Sequence, residues 1–475
     1  METETKDIVS ELNEETEIKN IATESKKNPL GEERINKLLR SFAIPSIVSM
    51  LVGSLYNIVD QFFIGQTIGE LGNAATNIAF PLSTSCTALG LLFGHGGASA
   101  FNIALGGGDR KRATRYMGNA IVMLFTVGTI LCLITQVLLE PMLLFFGSSK
   151  SVLGYAMTYT RITSFGFPFL ILSIGGGHLI RADGRPKITM LCNIMGAVIN
   201  TILDAAFVFG FRWGMAGAAL ATVIGQLVAA GMTAWFLAHC RVVSLRRIHL
   251  IVRLENVKRI VSLGVAPFSN QFAMMLVQIV MNKSLKYYGS VSVYGESIPI
   301  ACSGIISKVN MVFMAFVLGI SQGLQPISSF NYGAGKFTRV KEAYLKAITC
   351  GGIIAFTAFL LFQIFPRQII SVFGEGSDTY YTFAENYFHI FLFFTFVNFL
   401  QPITSNFFTA IGKPKIGSFL SLTRQIIFLL PLIVILPLVM GINGIMYAGP
   451  IADCMAAIVV TVMIFRELRK NIYRQ

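Results

Sequence analysis

Residues 184–238 read GRPKITMLCNIMGAVINTILDAAFVFGFRWGMAGAALATVIGQLVAAGMTAWFLA. After the basic turn GRPK the chain is apolar from 187 to 211, breaks at Arg212, and is apolar again from Gly214 onward. A helix needs about 20 apolar residues to cross about 30 Å of hydrocarbon, so the stretch predicts two membrane spans joined by a turn. The runs are continuous rather than alternating, which argues against the strands of a closed barrel. Asn193, Asn200 and Asp204 stand at i, i+7 and i+11 of the first run. At 100° per residue they share one narrow face. Thr222 and Gln226 form an i, i+4 pair in the second run. An ionisable group in hydrocarbon costs several kcal/mol, so Asp204 asks for a reason.

The same texture runs outward in both directions. The chain has 475 residues, of which 54% are hydrophobic and 13% charged; its mean hydropathy is +0.65. Soluble domains are about a quarter charged, so a water-soluble enzyme, a disordered chain and a disulfide scaffold are excluded. Apolar segments fall at 36–63, 71–104, 111–140, 151–181, 187–211, 214–239, 257–287, 297–330, 337–366, 379–411, 415–438 and 443–468. The predicted fold is an all-α membrane protein of twelve transmembrane helices. Residues 1–35 read as a polar cytoplasmic tail. They begin METETKDIVSELNEETE, which has no apolar signal region.

The formal charge is +14. It reflects loop asymmetry rather than contact with nucleic acid. One set of loops and ends holds thirty Lys and Arg, from the N-terminal segment through GGGDRKRATR, RADGRPK, Arg241–Arg259, GKFTRVKEAYLK and GKPK to the C-terminal tail; the opposite set holds six. This asymmetry predicts that both termini lie in the cytoplasm, with an even number of spans.

The chain also repeats at an offset of about 227. Gly106, Gly108 and Arg112 match Gly333, Gly335 and Arg339; Gly214 and Gly217 match Gly441 and Gly444; GRPK at 184 matches GKPK at 412. Each half then holds six spans: an N-lobe over 36–239, a cytoplasmic linker over 240–256 and a C-lobe over 257–475. Six is even, so the lobes share one orientation about a pseudo-two-fold axis along the membrane normal. Parallel repeats of this kind occur in transporters, with substrate between the halves.

Three acids lie deep in the spans: Asp60, Asp204 and Asp453. Tyr56 is on the face of Asp60, and Pro45, fifteen residues earlier, removes a helix hydrogen bond and predicts a bend. Carboxylates with amide, hydroxyl and phenol partners suit H⁺, and their oxygens suit a hard cation such as Na⁺ at Asp60, Asp204, Asn200 and Thr222. Asn193 and Gln226 read equally well as hydrogen-bonded links between helices. Lys308 and Arg424 can pair with Asp453 or point into a central cavity. His95, in FGHGGASAF, reads as a packed group or as one that titrates; His178 and His389 read alike. Seven cysteines stand singly, and no Cys/His set has metal-ligand spacing. No GxxxxGK[ST] loop occurs, so no nucleotide or other cofactor is expected, and an ion gradient must supply the energy.

At Tyr56, Asp60, Asn200, Asp204 and Thr222 the sequence resembles the multidrug and toxic compound extrusion (MATE) transporters. The identities and spacing match the N-lobe cluster of their DinF/MepA-like branch, and Pro45 matches the proline where the first helix of that branch bends. The resemblance covers nearly all of 36–470. It implies a monomer in a bacterial plasma membrane that exports cationic or amphipathic compounds by alternating access, with coupling to H⁺ or Na⁺ at that cluster. The chain departs from NorM-type relatives, which carry an acid in the seventh span; VSLGVAPFSNQFAMMLVQIVMNKSL has none. The rival readings are a lipid-linked saccharide flippase, with Lys308 and Arg424 essential, and an ion channel. An enzyme would need a catalytic constellation at the span ends, and the sequence offers none.

Overall fold

The computed structural model describes residues 28–148, 150–295, 297–372 and 378–472. Ten helices are long and apolar enough to span a membrane, and two bent pairs complete twelve. The N-lobe holds α1 (Ile35–Ile68), α2 (Glu70–Gly106), α3 (Arg110–Val137), α4 (Lys150–Ser164 and Phe167–Ala182), α5 (Pro186–Gly210) and α6 (Gly214–Ala238). The C-lobe holds α7 (Leu254–Ser290), α8 (Ser297–Gly333), α9 (Phe337–Ile364), α10 (Asp378–Phe391 and Thr395–Ala410), α11 (Pro414–Met440) and α12 (Ile442–Ile472). Trp213 and Trp235 bracket α6, and both are exposed. They stand about 33 Å apart at 1.5 Å per residue, the spacing of two interfacial aromatic belts.

The duplication extends to backbone and hydrogen bonds. Glycines with positive φ recur at the repeat offset: Gly108 and Gly335 (85° and 71°), Gly184 and Gly412 (82° and 77°), Gly214 and Gly441 (56° and 59°). These turns need a left-handed residue, which glycine adopts without steric cost. The broken spans are also a pair. α4 bends by 56° and α10 by 42°, where the sequence predicted single uninterrupted spans. Each break leaves carbonyls without a helical partner, and a glutamine from the preceding span fills the gap. Gln136 donates to the Arg161 carbonyl at 2.8 Å, and Gln363 donates to the His389 carbonyl at 3.2 Å.

The lobes meet at the end of the bundle that carries the basic loops. α1 packs on α8, α7 on α2, and α2 on α8. Glycines allow backbone contact there. A methyl on Gly106 would lie 2.1 Å from the Phe330 carbonyl oxygen, and one on Gly333 would lie 2.1 Å from the Ile103 carbonyl oxygen. Ile103 and Phe330 are themselves a repeat pair, so the contact is reciprocal and the pseudo-two-fold axis passes through it. Gly319 and Gly323 of α8 likewise admit Ile47 and Ala43 of α1.

Two connections differ from the sequence reading. Most of the N-terminal tail, residues 1–27, lies outside the described residues. Its last part is not solvated: Pro29–Glu32 form a helical turn with Leu30 and Gly31 buried. Asn331 and Arg339 of the C-lobe donate to the Leu30 carbonyl, and Arg339 donates to that of Glu33 at 2.7 Å. The linker is equally fixed, and to the N-lobe. The Asp183 carboxylate accepts from the amides of Arg241 and Val242, and Asn119 of α3 donates to the carbonyls of His249 and Ile251. Helix α7 starts at Leu254, inside the predicted linker.

Candidate functional site

α1, α2, α4, α5 and α6 enclose a cavity of about 320 Å³ in the N-lobe. Small residues of α5 and α6 create the room: Gly196 and Gly225 approach so closely that a methyl on Gly225 would lie 2.8 Å from the Gly196 carbonyl oxygen. Tyr56, Asp60, Asn193, Asn200, Thr222 and Gln226 all line it. The helical periodicities therefore bring six predicted residues, from three spans, to one wall.

Asp60 is 8% exposed and Asp204 is fully buried behind the wall. The two carboxyl groups lie within hydrogen-bond range of each other. A proton taken up by either carboxyl would bridge the two; with both ionised, neither supplies a donor. Asn200 donates to Thr222 Oγ1 at 3.5 Å, and Thr222 donates to the Ala218 carbonyl at 3.0 Å. Asn193 donates to Ser49 of α1. Asp60 Oδ1, both carboxyl oxygens of Asp204, Asn200 Oδ1 and Gln226 Oε1 find no donor. All five are acceptors. No Lys or Arg lines the cavity, so the site presents oxygen and negative charge with no fixed cation to answer it.

Asp204 is the last α-helical residue of α5. Ala205–Gly210 continue as a π-helical turn. The wider turn changes the direction of the residues that follow it, a distortion often found at functional sites. Tyr159 of α4 faces the cluster and was not singled out in the sequence. Its hydroxyl lies by Thr222, and it is within electrostatic range of both acids. The one signal for it was Tyr155 four residues before, a weak i, i+4 pair in an apolar run.

Several predicted residues fall elsewhere. His95 is not in the cavity; it is buried against His178 at the lobe seam, with ring centroids 5.4 Å apart. Arg424 forms a largely buried ion pair with Asp453 inside the C-lobe. Lys308 is half-buried on α8. Pro45 is buried in an α1 that stays helical from Ile35 to Ile68. Among the described residues no three His, Cys, Asp or Glu side chains are grouped as metal ligands.

The MatE family model matches residues 45–206 and 268–435, most of each lobe. The chain belongs to the MatE family. The multidrug export protein MepA of Staphylococcus aureus (strain MSSA476) is 22% identical over 430 residues, covering 90% of this chain and 93% of the relative. MepA of Staphylococcus haemolyticus (strain JCSC1435) is also 22% identical, over 435 residues, covering 91% and 94%. Among solved structures, the MATE multidrug transporter DinF-BH is 32% identical, with a TM-score of 0.85 over 92% of this chain and 96% of that one. An outward-facing MATE transporter of the MOP superfamily is 20% identical, with a TM-score of 0.87, covering 93% of this chain and 98% of that one. This MatE protein therefore has the family's twelve-helix fold and is a membrane transporter.

Proposed function

We propose that this MatE protein is a bacterial plasma-membrane antiporter that exports cationic or amphipathic drugs in exchange for H⁺ or Na⁺. The supporting observation is the set of five acceptor oxygens without donors in a cavity that has no fixed cation. Either a coupling ion or a cationic substrate answers that deficit, and the two compete for it. Tyr56, Tyr159, Met50 and Ile174 give the same cavity an apolar and aromatic surface, which suits a flat amphipathic cation.

The proposed cycle follows from the packing. On the basic side α1 is held by α8 at Ala43 and Ile47. The part of α1 that carries Tyr56 and Asp60 belongs to the N-lobe cavity. Ion binding neutralises the Asp60–Asp204 pair, α1 bends near Pro45, and the cavity contracts. Proline supplies the pivot because its missing N–H leaves the Ser41 carbonyl without a helical partner. By linkage, ion and drug weaken each other's binding to equal extents.

Efflux of a fluorescent cationic dye from proteoliposomes, under an imposed pH gradient or an imposed Na⁺ gradient, tests the proposal. Efflux under one gradient, lost in Asp60→Asn and in Asp204→Asn, is the expected result. Efflux that survives both substitutions in correctly inserted protein rejects it.

A further inference from the structure

A second polar cluster lies outside the cavity, in the spans that join the lobes. Arg181, near the end of α4, is 5% exposed. Among the described residues no carboxylate pairs with it, and its Nε has no hydrogen-bond partner. The nearest acid in sequence, Asp183, is held by Arg185 at 2.7 Å and by the two linker amides. A buried cation without a counter-charge is among the costliest features a fold can carry.

Two imidazoles face Arg181. His178 sits one turn earlier on the same face, and its Nδ1 donates to Gln325 Oε1 of the C-lobe at 3.2 Å. Gln325 Nε2 donates to the His95 carbonyl and to Ser99 Oγ, each at 3.0 Å. His95 Nε2 has no partner, and neither has the amide nitrogen or oxygen of Asn102, which is fully buried. Gly94 of α2 lies against Gly175 of α4 and Gly97 against Leu179, so Ser99 is about level with Arg181 and Asn102 follows about one turn nearer the basic end. Arg181 is within electrostatic range of both imidazoles.

We propose that Arg181, His95 and Asn102 bind a small inorganic anion of halide size at the lobe seam, and that its binding holds the seam shut. The anion supplies the missing counter-charge and accepts from the unpaired nitrogens. Parting of the lobes at the basic end would break the Gln325 bridge, admit water to Arg181 and release the anion. No part of this requires the drug cavity.

Thermal unfolding of the purified full chain tests it, with sodium bromide titrated against sodium gluconate at constant ionic strength. The wild type should show a saturable rise in Tm with bromide alone. Asn102→Ala keeps the cation and should raise the bromide midpoint at least tenfold. Arg181→Gln should abolish the response, and in gluconate its Tm should match or exceed that of the wild type, because an uncompensated buried charge is gone. Crystals soaked in bromide should show anomalous density at the cluster. Equal wild-type curves in both salts, or a bromide response that survives Arg181→Gln, would overturn the proposal. So would a response to inorganic phosphate but not to bromide. Where Arg181→Gln does not fold, Asn102→Ala and the soaked crystals decide.

Discussion

Replacing Gly106 or Gly333 with alanine should unseal the basic end of the molecule, and by similar amounts. Each new methyl would start 2.1 Å from a carbonyl oxygen, where even a tight contact needs 3.0 Å. The helices must therefore separate locally by about 0.9 Å, and the obstacle is backbone, so no side-chain rotation relieves it. Forcing extra volume into a packed contact costs about 1–3 kcal/mol. The penalty falls on the sealed arrangement and is absent once the lobes part. That difference shifts the ratio of sealed to parted molecules by roughly 5- to 150-fold. Electron–electron double resonance reads the shift from spin labels at exposed Lys111 and Lys415, in a background without native cysteines. Gly154→Ala is the control, since nothing lies within 4 Å of its added methyl. Unchanged distance distributions in folded Gly106→Ala and Gly333→Ala would refute the reasoning. A large response to one and none to the other would refute the reciprocal contact.

Other consequences are measurable with less effort. Gln136→Leu should lower the unfolding free energy by only about 0.5–1.5 kcal/mol, because Ser164 still donates to the Arg161 carbonyl at 3.0 Å; Gln363→Leu should cost about 1–3 kcal/mol in α10, where the half-buried His389 carbonyl loses its side-chain donor, and calorimetry of the purified protein checks both. Arg424→Met alone should cost about 3–5 kcal/mol by stranding the Asp453 charge, whereas Arg424→Met with Asp453→Leu should recover most of that stability. Full loss of dye efflux in a stable double variant would show that the pair does more than hold the C-lobe together. Tyr159→Phe should leave folding intact but weaken drug binding or ion release several-fold, as read by dye fluorescence titration at two pH values. No effect would remove Tyr159 from the site.

Much of this was legible in the sequence, for definite physical reasons. Hydrocarbon thickness fixes span length, so twelve apolar runs announced twelve helices. Helical periodicity fixes faces, so Asn193, Asn200 and Asp204 could be placed together before any coordinates. Features that depend on contacts between distant segments were hidden. The bends at Phe165–Gly166 and Leu392–Phe394 lie in apolar runs whose glycine and phenylalanines read as ordinary membrane residues. What makes the bends tolerable is a glutamine from another span. The π-helical turn after Asp204 has no sequence mark, since DAAFVFG suits an α-helix equally well. The docking of Leu30 does carry a sequence signal. Asn28 followed by Pro29 is a good helix start, and Leu30 is a lone apolar residue with nothing local to cover it. For Arg424 and Asp453 the sequence left two arrangements open, and the structure selects the ion pair.

That pair has an electrical consequence. Asp453 occupies the repeat position of Gln226, but its charge is already cancelled by Arg424. Among the described residues only the N-lobe offers a carboxyl pair without a fixed counter-cation, so the proposed exchange can load at most two protons in each cycle. Two protons entering for one monovalent cation leaving would move one net positive charge inward, and a negative interior would accelerate the turnover. One for one would be electrically silent. Clamping the membrane potential with potassium and valinomycin would therefore count the ions, without any label on the carboxylates.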